Sequence, residues 1–254
     1  MAITLQTQVD QLKVKVYSTR AEMGAAAAVD AAACINKLLA AQDIVRIIFA
    51  AAPSQNEVLA QLVANKDIDW SHIDVFHMDE YIGLPVGAEQ RFSTFLNQHL
   101  FDHVKPRRVN LIDDRDGLDA ALQRYEVLIK EAPIDIVCLG IGENGHIAFN
   151  DPPVADFTDP EIIKPVALDD ACRQQQVNDG CFPTFDDVPK TALTLTIPAL
   201  LSGKHLFCVV PGKTKSEAIK NVITGDITTA CPASILRKHP DCTLYTDTDA
   251  YSLV

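Results

Sequence analysis

Basic charge is scarce in this chain. Lys and Arg number 22 against 34 Asp and Glu in 254 residues, a formal net charge of −12. Binding to a nucleic-acid backbone rests on clustered Lys and Arg, so no nucleic-acid partner is expected, and any anion site must be a local exception to an acidic surface. Long apolar runs are also missing. None reaches the roughly 18 residues of a membrane span, so no membrane partner is expected. The opening residues MAITLQTQVD lack a basic segment followed by an apolar one, which argues against a signal peptide. Paired cysteines are absent too. The seven cysteines are an odd number, none has C-x-x-C spacing, and several lie inside apolar runs such as Val137-Cys138-Leu139 and Phe207-Cys208-Val209. They read as reduced core thiols of a cytoplasmic protein, not as a disulfide frame or a zinc site. No internal repeat, low-complexity linker or composition break divides the chain, which predicts a single domain over 1–254.

Apolar runs alternate with helical spacing. Strands are expected at 14–17, 45–51, 73–78, 109–112, 134–139, 162–168, 191–197, 205–210 and 243–245. Helices are expected at 19–41, with Thr19 as N-cap, and at 53–64, 91–101, 118–130 and 216–222. The alternation predicts an α/β fold: a doubly wound, mostly parallel sheet with helices on both faces, Rossmann-like in character. Residues 155–187, rich in Asp, Pro and Gln, read either as a loop or lid over a site or as a surface insertion.

Polar residues concentrate where the strands end, which is where open α/β sheets place their chemistry. The densest stretch runs from Cys138 to Pro153, an apolar strand leading into Gly140, Gly142 and Gly145 and then His146. The glycines match the letters of the dinucleotide fingerprint. Pro152 and Pro153 follow too soon for the helix that fingerprint requires, so no dinucleotide cofactor is expected. His146, flanked by Asn144 and Asp151, reads as an oriented acid/base group whose neighbours fix its tautomer and tune its pKa.

Asp79 and Glu80 are adjacent carboxylates after a buried strand, and at least one should enter a cleft, where a raised pKa would make it a base for a carbon-bound proton. The turn Pro211-Gly212-Lys213-Thr214-Lys215-Ser216 before a helix suits a small phosphate group. It lacks the first glycine of a nucleotide-binding P-loop, whose place is taken by Phe207. Ser54, in Ala50-Ala51-Ala52-Pro53-Ser54-Gln55, is a further phosphate donor.

Together these pieces resemble the glucosamine-6-phosphate deaminase/isomerase family, which shares its fold with 6-phosphogluconolactonases. The resemblance runs from about Val14 to Asp247. Its specific parts are Met78 to Leu84, Gly140 to Asp151, Val188-Pro189-Lys190-Thr191-Ala192-Leu193, Pro232-Ala233-Ser234-Ile235-Leu236 and His239-Pro240. Asp-Glu-Tyr and Gly-His-Ile-Ala-Phe-Asn stand where the lactonases usually carry Asp-Glu-Arg and Gly-His-Thr-Ala, which favours the amino-sugar branch. The resemblance implies a cofactor-free and metal-free isomerase/deaminase of glucosamine 6-phosphate or a close hexosamine phosphate, monomeric or dimeric. His146 would open the sugar ring, Asn144 and Asp151 would hold His146, and Asp79 would move the C2 proton. Glu80, Ser54, Gly145 and Lys215 are the candidate substrate contacts. Arg173 is the nearest replacement for a family arginine that has no clear match ahead of Val188. Other departures are Ala51-Ala52-Pro53-Ser54 for the Gly-Gly-Thr phosphate turn, Asp151 for the usual Glu, and His77 for the common Asn. A galactosamine-6-phosphate isomerase, a lactonase and a non-catalytic sugar-phosphate binder are the alternative readings.

Overall fold

The computed structural model describes residues 3–254. A hairpin of β1 (Ile3–Val9) and β2 (Leu12–Tyr17) leads into α1 (Arg20–Leu39), β3 (Val45–Phe49), a 3-10 turn (Pro53–Gln55) and α2 (Asn56–Ala64). β4 (Ile73–His77) and β5 (Asp79–Tyr81) follow. Next comes a helical run made of α3 (Phe92–Leu96), a π turn (Asn97–Phe101) and α4 (Asp102–Val104), then β6 (Arg108–Asn110). The second half holds α5 (Leu118–Lys130), β7 (Ile136–Leu139), β8 (Ile163–Ala167), α6 (Asp170–Asn178), β9 (Thr191–Leu195), α7 (Ile197–Leu201), β10 (His205–Val210), α8 (Ser216–Thr224) and β11 (Cys242–Asp247).

Eight strands form one sheet in the order β1-β2-β11-β10-β7-β3-β4-β6. Only the β1–β2 pair is antiparallel. Successive strand residues face opposite sides of a sheet, and here each side has its own core. Ile47 and Phe49 of β3, with Ile136 and Cys138 of β7, pack with α1 and α2. Ile48, Val137 and Leu139 pack on the other side with α5, α7 and α8. Both faces are covered, as the near-continuous apolar strands require.

A second sheet of three antiparallel strands, β5-β9-β8, adjoins the first. Only Met78 separates β4 from β5, so the chain passes between sheets at Asp79, which pairs with Thr194 of β9. The segment 155–187, expected as a loop or lid over a site or as a surface insertion, contains β8, α6 and a 3-10 turn (Phe185–Asp187). β1, β5, α6 and α7 are absent from the sequence expectations. Thr19 is the N-cap of α1, its hydroxyl accepting from the Glu22 amide at 3.2 Å. Thr19→Ala should lower unfolding stability by about 1 kcal/mol, measured by denaturant titration.

Candidate active site

The carboxyl ends of β3, β4, β7 and β10 open onto a single cavity of about 280 Å³. Four strand-end segments line it: Ala50 to Gln55, Met78-Asp79, Gly140 to Gly142 with His146, and Pro211 to Lys215. Arg20 borders it from the start of α1, and Gln175, Gln176 and Asp179 from α6 and its end. Asp79 and His146, more than sixty residues apart in sequence, therefore share one hollow.

The loop after β7 holds His146 from three sides. Its Nδ1 lies 2.8 Å from Oδ1 of Asp151, a close contact without full hydrogen-bond alignment. Its backbone amide donates to Oδ1 of Asn144 at 3.0 Å, and Asn144 Nδ2 donates to Oδ1 of Asp151 at 3.0 Å. Gly142 lies directly against the imidazole, where an added Cβ would come within 2.2–2.4 Å of three ring atoms. Asp151 is fully buried. Burial pushes its pKa up, but the contacts with His146, Asn144 and the Asp169 amide outweigh burial and hold it below the usual carboxylate value. Ionised Asp151 orients Nδ1 and leaves Nε2 as the ring nitrogen for a ligand.

The two adjacent carboxylates take opposite roles because adjacent strand residues face opposite ways. Asp79 borders the cavity, and its pKa is driven well above the carboxylate value, first by burial and then by the charges of Glu80 and Asp151. Glu80 turns away from the cavity. It accepts from the amides of Tyr81, Phe92 and Ser93 and from the Ser93 hydroxyl, with Arg91 Nε 3.4 Å away. Burial raises its pKa, but His77 and Ser93 more than reverse this and keep it lowered. Glu80 thus anchors the start of α3 and is not among the residues lining the cavity, where a substrate contact was expected.

Two further expectations are corrected. Arg173 is buried behind the cavity wall. Its Nη2 donates to the carbonyls of Phe185 and Val188, and its guanidinium stacks on the Phe185 ring at 3.9 Å. All of this reach is spent on the chain itself. Gly145 also lies outside the lining. Its φ of +84° shapes the turn, and it packs against Cys231. Lys215 and Ser54 do reach the cavity. Lys215 is 5 % exposed and has no hydrogen-bond or ion-pair partner among the described residues. Burial lowers its pKa, opposed by the charges of Asp179 and Glu143.

The sequence reading missed Arg20, Gln176 and Cys172. Arg20 reaches the cavity while paired with Glu57 at 2.6 Å. Gln176 carries no local motif. Cys172 is fully buried beside Asp151 and His146.

Residues 18–245 match the family model described as glucosamine-6-phosphate isomerases/6-phosphogluconolactonase. The glucosamine-6-phosphate deaminase of Lactobacillus delbrueckii subsp. bulgaricus is 35% identical over 206 residues, 81% of this chain and 86% of that protein. The deaminase of Streptococcus equi subsp. zooepidemicus is 36% identical over 194 residues, 76% of this chain and 80% of that protein. Among solved structures, a monomeric glucosamine-6-phosphate deaminase superposes with a TM-score of 0.86 at 32% identity, covering 95% of this chain and 99% of that one. A 6-phosphogluconolactonase from Thermotoga maritima superposes at 0.76 and 19% identity, over 93% and 99% of the two chains, which is a likeness of fold.

The environment of Asp79 has a consequence for stability. A carboxyl whose pKa is raised on folding contributes stability while protonated and loses it as pH rises through the folded-state value. Asparagine cannot ionise. Asp79→Asn should therefore melt at a higher temperature than the unaltered protein at pH 8, with the gain shrinking as pH falls; thermal melts across pH 5–8 read this directly.

Proposed function

The chain belongs to the glucosamine-6-phosphate isomerase/6-phosphogluconolactonase family, and from that premise we propose that it converts glucosamine 6-phosphate to a ketose phosphate and ammonia. The observation that carries this reading is the shared cavity, with a buried carboxylate of raised pKa and an imidazole on its wall. A lactonase needs a base for water but no second group to take a carbon-bound proton. A binder needs neither.

The groups divide the work by their environments. His146, with Nδ1 held toward Asp151, carries a proton between the ring oxygen and O1 and so opens the sugar. Asp79 then removes the C2 proton. An ordinary carboxylate is a weak base for a carbon acid, and the desolvation that raises the pKa of Asp79 strengthens it. The electrons of the C2–H bond pass into an enolamine, Asp79 returns the proton to C1, and the resulting C2 imine takes up water and releases ammonia. The last step cleaves a carbon–nitrogen bond with water, which is the hydrolase character of the reaction. Lys215, buried and unpaired, and Ser54 hold the phosphate. Like the structural neighbour with TM-score 0.86, the chain works as a monomer. Its seven free cysteines, five of them buried, suit a reducing cytoplasm.

A panel of glucosamine, galactosamine and gluconolactone 6-phosphates, scored for both ammonia and ketose phosphate, tests the assignment. Glucosamine 6-phosphate should give both products in equal amounts; lactone hydrolysis without ammonia from any substrate would refute the reading. Asp79→Asn and His146→Gln should each lower kcat by about 10²–10⁴-fold. On the acid side, kcat/KM should rise with pH through an apparent pKa above the roughly 3.9 of a free Asp, because only ionised Asp79 can take the C2 proton. Gly142→Ala, which displaces the imidazole without removing it, should cost on the order of 100-fold while the protein still folds.

A further inference from the structure

Cys172 lies on α6 with its side chain fully buried, and no step of the proposed reaction uses it. It sits against the His146–Asp151 pair. The imidazole nitrogen, a carboxylate oxygen of Asp151 and the Cys172 sulfur all lie within 4.8 Å of one another. Nδ1 of His146, a buried residue, lacks an aligned hydrogen-bond partner. Asp151 is meanwhile steadied by Asn144 Nδ2 and the Asp169 amide.

These groups match the needs of one class of cation. Zn²⁺ binds sulfur at about 2.3 Å and imidazole nitrogen or carboxylate oxygen at about 2.0–2.2 Å in a tetrahedron, so neighbouring ligand atoms stand roughly 3.3–3.7 Å apart. The contact of 2.8 Å between His146 and Asp151 has only to open slightly, and the sulfur to turn inward. Thiolate with imidazole selects Zn²⁺ and its soft relatives over Mg²⁺ or Ca²⁺. The carboxylate is already fixed by hydrogen bonds from outside the cluster, as ligating carboxylates usually are. His146 borders the cavity, which gives the cation an entry and leaves its fourth position to water.

We propose that His146, Asp151 and Cys172 form an inhibitory site for a thiophilic divalent cation such as Zn²⁺. Binding replaces the thiol proton, which leaves to solvent, and uses the Nδ1 lone pair, so the remaining imidazole proton sits on Nε2. Both members of the ring-opening pair are then occupied by the metal. The site shares His146 and Asp151 with the proposed reaction, and the inhibitory consequence rests on the function proposed above.

Titration of the full chain with Co²⁺ tests the site without reference to activity. One equivalent should bind with a thiolate-to-cobalt charge-transfer band in the near ultraviolet. The band should vanish in Cys172→Ala and in Cys172→Ser, the second guarding against a packing defect in the first, and persist in Cys181→Ala. Zn²⁺ should displace the cobalt and inhibit ammonia release until a chelator is added. The Cys172 variants, each compared with its own metal-free rate, should need about tenfold more Zn²⁺ or greater. No thiolate band in the unaltered protein, or a band lost only in Cys181→Ala, overturns the site. Cobalt binding with this band in a protein that releases no ammonia overturns the function and keeps the site, whereas ammonia release indifferent to Zn²⁺ overturns the inhibition alone.

Discussion

A carboxylate removed from water is the constraint around which this molecule is arranged. Asp79 is buried at the junction of two sheets, with Glu80 beside it and Asp151 close enough for its charge to be felt. In isolation such a group would simply stay protonated. The charges of Glu80 and Asp151 push it further in the same direction. Arg91 and three backbone amides serve Glu80, and His146 with Asn144 serves Asp151, while no cation is placed against Asp79. Two of the three carboxylates are held ionised, and their fields raise the third. The base is thus produced by withholding a partner from one acid and supplying partners to the others.

That distribution depends on backbone geometry. The chain leaves the main sheet after His77 and joins the small sheet at Asp79, with Met78 as the only link. Pairing of Asp79, Glu80 and Tyr81 with β9 fixes which side chain enters the cavity and which enters the protein. Across the cavity, the closeness of Gly142 to the imidazole has the same purpose. It allows the ring to lie flat against the backbone, so that its freedom is lost before substrate arrives. The substitution of Asp151 for a longer Glu is compatible with this, because the loop brings Oδ1 to 2.8 Å from Nδ1.

How much of this could be read from sequence depended on whether the signal was apolar. Asp79, His146 and Lys215 each follow a run of buried aliphatic residues, and the end of such a run is also the end of a strand. Thr19 was legible because a hydroxyl before an Ala-rich helix has one common use. Glu80 was assigned to substrate because two identical charges in a row do not reveal which is odd and which even in a strand only three residues long. α6 left no apolar trace, since its buried positions include Arg173, Gln175 and Gln176 along with Cys172. A helix that buries polar groups has no hydrophobic period to detect. Arg173 was expected at the phosphate because it is the one arginine near the family position, but its guanidinium is committed to the carbonyls of Phe185 and Val188. Arg20 could not be found locally, because only the fold brings the start of α1 to the mouth of the cavity.

The same polar helix bears on recognition of the substrate. The cavity lining carries both signs of charge, Asp79 as well as Lys215, in a protein whose net charge is −12. Arg20 cannot supply a full second cation, since Glu57 already accompanies it. With Arg173 turned inward, the lining offers Lys213 and Lys215 as cations beside the Glu57-paired Arg20, and Ser54, Thr214 and the amides of Gln55, Gln175 and Gln176 as neutral donors. A phosphate bound there, as the proposed function requires, would be held by direction as well as by charge, because amides and hydroxyls must be met at hydrogen-bonding angles. Burial lowers the pKa of Lys215, and a dianion placed beside it would favour the charged form. Under the proposed function, polarity then orients the substrate, with phosphate toward Lys215 and C2 toward Asp79.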